Sequence, residues 1–98
     1  MATSCRSSNL KSAAAAIAAG RNRVNAITLL SDGTNACSVV LYDNATAASG
    51  LVVGKVSIGA ASLAKTEHVI FENPVICEAG IYADVTGTGA EYIVYFGG

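Results

Sequence analysis

The side chains equipped for chemistry in this sequence are few, and their spacing keeps them apart. His68 is the one histidine, so no imidazole cluster can hold a metal. A catalytic triad around it would need a nucleophile and an orienting acid from elsewhere in the chain. On strand alternation His68 shares a face with Ile70, opposite Val69 and Phe71, as an ordinary strand or interface residue would. The three cysteines, Cys5, Cys37 and Cys77, form no CxxC pair and no zinc-type spacing. Cys37 and Cys77 lie in apolar runs, where a thiol behaves as a small hydrophobe. Cys5 has only Arg6 beside it to favour the thiolate. The odd count suits a protein made in a reducing cytoplasm, with a Cys37–Cys77 bridge left open by the spacing.

The acids stand singly. Glu72 and Glu78 flank Pro74 without the facing geometry that glycoside hydrolysis needs. Glu67, Glu72 and Glu78 could contribute to a cation site only if backbone carbonyls completed it. Gly87-Thr88-Gly89 lacks the further glycine and following helix of a phosphate loop and reads as a hairpin turn. Asn44-Ala45-Thr46 matches a glycosylation acceptor, but no secretory signal is expected ahead of it. The residues therefore lead to an expectation of no catalytic residue, no cofactor and no metal. Tyr42, Tyr82, Tyr92 and Tyr95 all fall on expected strands. Tyrosine is enriched at protein interfaces, and a tyrosine-bearing sheet can also stack sugars. Without basic residues between them, nucleic acid is not the expected partner.

The elements that must position these residues change character near Asn22. Before it, MATSCRSSNLKSAAAAIAAGRN is polar and then Ala-rich. Alanine has the highest helix propensity and Ser12 could cap such a helix, yet an isolated segment this short is marginal in water. Residues 1–22 are expected to be an arm, flexible or helical on contact, with residues 23–98 a separate β domain. Arg6, Lys11, Arg21 and Arg23 put four cations and no acid in the first 23 residues, and two lysines then face seven acids. The expected subunit contacts are these four cations together with Tyr82, Tyr92 and Tyr95. No run reaches the roughly 18 apolar residues of a membrane span, so no membrane is expected.

From Arg23 onward the hydrophobic period is two. Arg23–Ser31 ends at the turn Asp32-Gly33-Thr34-Asn35, and Cys37, Val39 and Leu41 share a face of the next strand. After the Asp43–Gly50 loop, Val52, Val56 and Ile58 are expected inward in Leu51–Ile58, with Gly54 marking a bulge. His68–Phe71 ends at the corner of Pro74, and a short strand is expected at Val75–Cys77. Gly80–Thr86 places Ile81, Ala83 and Val85 inward, and Glu91–Phe96 completes the set. The pattern predicts an all-β fold: a small antiparallel β-sandwich or jelly-roll-like barrel of about six to eight strands with an N-terminal Ala-rich arm. With 52% hydrophobic and only 13% charged residues, a 98-residue chain has little charge to cover its surface. Ser, Thr, Asn and Gly on the surface, together with neighbouring subunits, are the expected cover.

The stretches DGTNACSVVLYDNATAASG (Asp32–Gly50) and FENPVICEAGIYADVTGTGAEYIVYFGG (Phe71–Gly98) resemble small structural proteins of tailed bacteriophages. The shared layout is a strand ending in a YDN turn, an ASG loop into the next strand, and GIYADVTGTG before a final aromatic strand. The likeness covers Val24 to Gly98. It implies a non-enzymatic β-sandwich virion subunit, often multimeric and docked on the capsid or elsewhere in the particle. The resulting expectation is a capsid decoration or cement protein that bridges major capsid subunits or other virion subunits. It would be made in the host cytoplasm, located on the virion surface and homo-oligomeric, with a trimer favoured. The alternative is a tail- or fibre-associated adhesin binding host-surface glycans through its tyrosines.

Overall fold

A computed structural model describes residues 5–97. It contains β1 (Arg6–Ser7), β2 (Ala15–Ala19), β3 (Asn22–Leu30), β4 (Cys37–Asp43), β5 (Val52–Ile58), β6 (Thr66–Cys77), β7 (Gly80–Thr86) and β8 (Glu91–Gly97). All pairings are antiparallel, and the strands form two four-stranded sheets, β1-β8-β3-β6 (sheet A) and β2-β7-β4-β5 (sheet B).

The pairing follows one rule. β4 pairs β5, β3 pairs β6, β2 pairs β7 and β1 pairs β8, so the second half of the chain runs back along the first as one long hairpin. Its tip is the 44–51 loop. Two further pairings, β3 with β8 and β4 with β7, roll this ribbon into the two sheets. That connectivity is the eight-stranded jelly roll.

The core lies between the sheets. Val24, Ile27 and Leu29 of β3 and Tyr92, Val94 and Phe96 of β8 meet Val39 and Leu41 of β4, Val56 and Ile58 of β5, and Ile81 and Ala83 of β7. The expected inward sets of β4 and β7 are found as read, with Val85 partly buried against the same core. Val52 differs. A bulge opposite Leu41/Tyr42 tucks Val53 against the core and turns Val52 outward. The expected break at Gly54 is thus displaced by one residue. At Gly54 itself a Cβ would meet the Phe71 ring at 3.0 Å, so the missing side chain lets Phe71 close the β5–β6 side of the sandwich.

The N-terminal segment corrects a second expectation. Ala15–Ala19 is neither an arm nor a helix but an edge strand of sheet B, and Arg6–Ser7 is an edge strand of sheet A. Residues 1–4 of the expected arm lie outside the described residues. Tertiary contacts override helix propensity here. Tyr92 Oη donates to the Ala13 carbonyl (2.7 Å), Lys11 exchanges backbone bonds with Tyr92, and Ile17 and Ala18 pack against the core. The separate strand expected at 75–77 is the continuation of β6. Residues 71–74 bulge out opposite Asn25, which accommodates Pro74 on an edge where its missing N–H leaves no partner unbonded.

Deleting residues 1–22 removes the edge strands β1 and β2 and uncovers β8 and β7, so the truncated chain should lose cooperative unfolding or show a sharply lower denaturation midpoint by circular dichroism. Tyr92→Phe alone leaves the Ala13 carbonyl without its donor and should cost about 1–3 kcal/mol in urea unfolding.

Candidate functional site

Titratable groups were the first candidates, and the fold disperses them. Among the described residues no three His, Cys, Asp or Glu side chains gather where they could hold a metal ion. Two of the carboxylates are instead committed to local structural tasks. Asp32 Oδ1 accepts the N–H groups of Thr34 and Asn35, closing the β3–β4 crossover, and these bonds hold its carboxyl below the ordinary value. Asp43, at the end of β4, accepts the N–H groups of Ala79, Glu78 and Gly80. Those bonds, Ala79 first, lower its pKa and pin the β6–β7 turn onto the other sheet. Asn44 organises the hairpin tip by accepting from Thr46 and Ala47 and donating to Ser49. Its side chain serves the turn.

The cysteines are free. Cys37 and Cys77 are buried, and burial pushes the Cys77 thiol up to about 11, with Asp43 adding to the shift; burial likewise raises Cys37. Cys5 is exposed at the β1 edge, where Asn25 Nδ2 donates to its sulfur at 3.6 Å. His68 lies on the outer face of sheet A and shares it with Ile70, as alternation predicts. Its Nδ1 bonds Thr28 Oγ1 at 2.6 Å and its ring meets Tyr95 edge-on at 6.1 Å. No carboxylate orients this pair, so it is a cross-strand contact without the third member of a triad.

The expected interface residues are scattered. Arg6 is on β1, Lys11 bridges β8, Arg21 follows β2 and forms an exposed ion pair with Glu78 (3.4 Å), and Arg23 lies on β3. The three tyrosines part company too. Tyr82 is on the outer face of sheet B and Tyr95 on that of sheet A, whereas Tyr92 is fully buried. Its inward direction follows from alternation with Val94 and Phe96, and burial raises its phenol to about 12. Tyr92 is a core residue with no surface to offer.

What the fold does assemble is two faces poor in charge. On sheet A the register places Ile70, Ala26, Tyr95 and Ser7 in one row, then His68, Thr28 and Ile93, then Thr66, Leu30 and Glu91. On sheet B the rows are Val52, Tyr42, Tyr82 and Ala16, then Lys55, Val40 and Asp84, then Ser57, Ser38 and Thr86. Tyr42 counts among the strand tyrosines but not among the expected contacts; alternation along β4 points it away from Leu41, and the register sets it beside Tyr82. Antiparallel sheets usually present a polar outer face to water. Here sheet A carries Glu91 and, in the further row of Ile76, Arg23 and Gly97, the cation Arg23, and sheet B carries Lys55 and Asp84. On sheet A, Cys5, Asn25, Ala26, His68, Ile70 and Tyr95 line an open groove of about 380 Å³.

The sheet edges, by contrast, are blunted. β1 is two residues long, β2 and β5 are bulged, and β6 carries its four-residue bulge with Pro74. Such features oppose edge-to-edge pairing. Among the described residues no helix is long and apolar enough to cross a membrane. Comparison of the chain with protein-family models, curated proteins and solved structures finds no match.

A lowered pKa in the folded state means that Asp43 stabilises the fold above the ordinary carboxylate pKa of 3.8 and loses that contribution as pH falls through its folded value. The stability gap between the wild type and Asp43→Ala should therefore be open at pH 7 and narrow in acid below that value, read from urea midpoints at several pH values. Thiol labelling should modify Cys5 alone in the native protein at neutral pH, and Cys37 and Cys77 only in denaturant.

Proposed function

We propose that this chain is a non-enzymatic structural subunit of a tailed-phage virion, acting as a capsid decoration or cement protein that bridges major capsid subunits. The observation that carries the assembly half of this reading is the pair of charge-poor, tyrosine-bearing outer faces on a sandwich whose edges are blunted. A rigid sheet face offers a preordered contact area, and Tyr and Ile anchors lose little entropy when covered. The scattered, structurally committed polar groups support a non-enzymatic role. The phage half rests on the resemblance of Asp32–Gly50 and Phe71–Gly98, with the jelly roll as an analogy, since that architecture serves viral capsid subunits and lectins alike.

A second reading has its own observation. Tyr42 and Tyr82 are direct register partners on sheet B, giving two phenol-bearing positions side by side for a sugar ring to stack on. That arrangement fits a tail- or fibre-borne glycan-binding module.

Quantitative mass spectrometry of purified particles separates the two. Decoration predicts a copy number that scales with the major capsid protein and loss of the chain from particles when Tyr82→Asp is introduced. A few copies confined to tails, with glycan binding that Tyr82→Ala abolishes, would replace the first reading by the second.

A further inference from the structure

We propose that the outer groove of sheet A is a binding site for one neutral pyranose ring of a glycan. It lies on the sheet opposite Tyr42 and Tyr82, so a decorating role and a sheet B sugar platform each stand or fall without it.

A break in strand alternation builds the groove. Both ladders of β3 pass directly from Val24 to Ala26, which leaves Asn25 as the extra residue of a bulge. Val24 and Ile27 belong to the core, while the consecutive residues Asn25 and Ala26 both line the groove on the outer face. An unbroken strand would send two neighbours to opposite faces. Bulges re-aim side chains in this way beside functional sites. Ala26 forms the floor, standing in register between Ile70 on β6 and Tyr95 on β8.

The lining sets the chemistry of the ligand. Tyr95 supplies an aromatic ring on one side of Ala26, and Ile70 an aliphatic wall on the other. The His68 ring meets Tyr95 edge-on at 6.1 Å, and Thr28 Oγ1 holds His68 Nδ1 at 2.6 Å. The aromatic side is thus preset, which lowers the ordering cost of binding. Among the described residues, Tyr95 Oη, His68 Nε2 and Asn25 Oδ1 have no hydrogen-bond partner, and all three residues line the groove. Asn25 Nδ2 donates to Cys5 Sγ at 3.6 Å, which orients the amide and leaves its oxygen to accept. A phenol both donates and accepts, and Nε2 does either, according to how Thr28 and Nδ1 share their proton.

These features select among ligands. No Lys, Arg, Asp or Glu lines the groove, so a phosphate, a uronic acid or an amine would find no counter-charge. A wholly apolar occupant would cover three polar atoms without giving them partners, which is costly. A neutral pyranose meets both conditions. Its C–H face packs on an aromatic ring, and the hydroxyls around its edge donate and accept. The groove volume of about 380 Å³ stands near the lower end of the range for small-molecule sites, about 300–1,000 Å³, and suits one ring with its substituents. An open groove with so few contacts binds at about millimolar strength.

The test is NMR of the full chain, titrated with glucose, galactose, mannose, N-acetylglucosamine and N-acetylgalactosamine to about 50 mM, well above a millimolar Kd. At least one sugar should give saturable shifts centred on Asn25, Ala26, His68, Ile70 and Tyr95. Glucuronate and inorganic phosphate should give none there. Tyr95→Phe keeps the ring and should weaken binding about three- to tenfold through the lost hydroxyl. Tyr95→Ala should abolish it; if the alanine disturbs β8, the phenylalanine variant alone decides. No saturable shift with any of the five sugars, equal shifts with glucuronate or phosphate, or an affinity unchanged in Tyr95→Phe would each overturn the proposal. Shifts gathered instead around Tyr42 and Tyr82 would overturn this site and leave the sheet B reading standing.

Discussion

The structure depends on the antiparallel pairing of the first half of the chain with the second. Each of the four ribbon pairings joins strands equidistant from the 44–51 tip, and the two sheets exist only because that ribbon rolls upon itself. Only the β4–β5 pairing is local. Every other ladder closes a long loop and must repay that entropy with buried apolar area and hydrogen bonds. The burden falls on β3 and β8, which are central to sheet A and supply Val24, Ile27, Leu29, Tyr92, Val94 and Phe96 to the core. The polar clamps act at the crossings. Asp32 and Asp43 fix places where the chain leaves one sheet for the other, where no ladder can satisfy the backbone.

The same economy shapes the surface. With few charges in the chain, most of those present sit at turns and sheet ends, and the broad faces fall to Tyr, Ile, Val, Thr and Ser. Blunted edges and apolar faces act together. The edges discourage unselective strand addition, while the faces remain open to contacts chosen by shape. The polar residues that might have suggested catalysis are spent on holding turns, capping carbonyls and cross-strand pairing.

Much of this was legible in the sequence. Alternation identified β4, β7 and β8, placed Cys37, Val39, Leu41, Ile81 and Ala83 inward, and set His68 on one face with Ile70. Turn chemistry located the turn at Asp32–Asn35 and the hairpin turn at Gly87–Gly89, where Gly87 and Gly89 both have positive φ and a Cβ on Gly87 would collide with the Ala36 carbonyl. The Ala-rich segment misled because alanine carries no periodic signal. Its strand conformation comes from β7 and from the Tyr92 hydroxyl, far away in sequence. Tyr92 misled for the complementary reason, since a tyrosine is chemically suited to a surface and to a core alike.

The amino-acid sequence alone determined that the body is antiparallel β, which residues of most strands face inward, and that charge is too scarce to clothe the surface, because period, turn residues and composition are local properties. The tertiary structure decided that Ala15–Ala19 is an edge strand, that Tyr92 is buried while Tyr42 joins Tyr82, and that Cys5, Ala26, His68, Ile70 and Tyr95 share one groove. Those outcomes depend on which strands become neighbours, and in a ribbon rolled from two half-chains that is settled by packing between residues tens of positions apart.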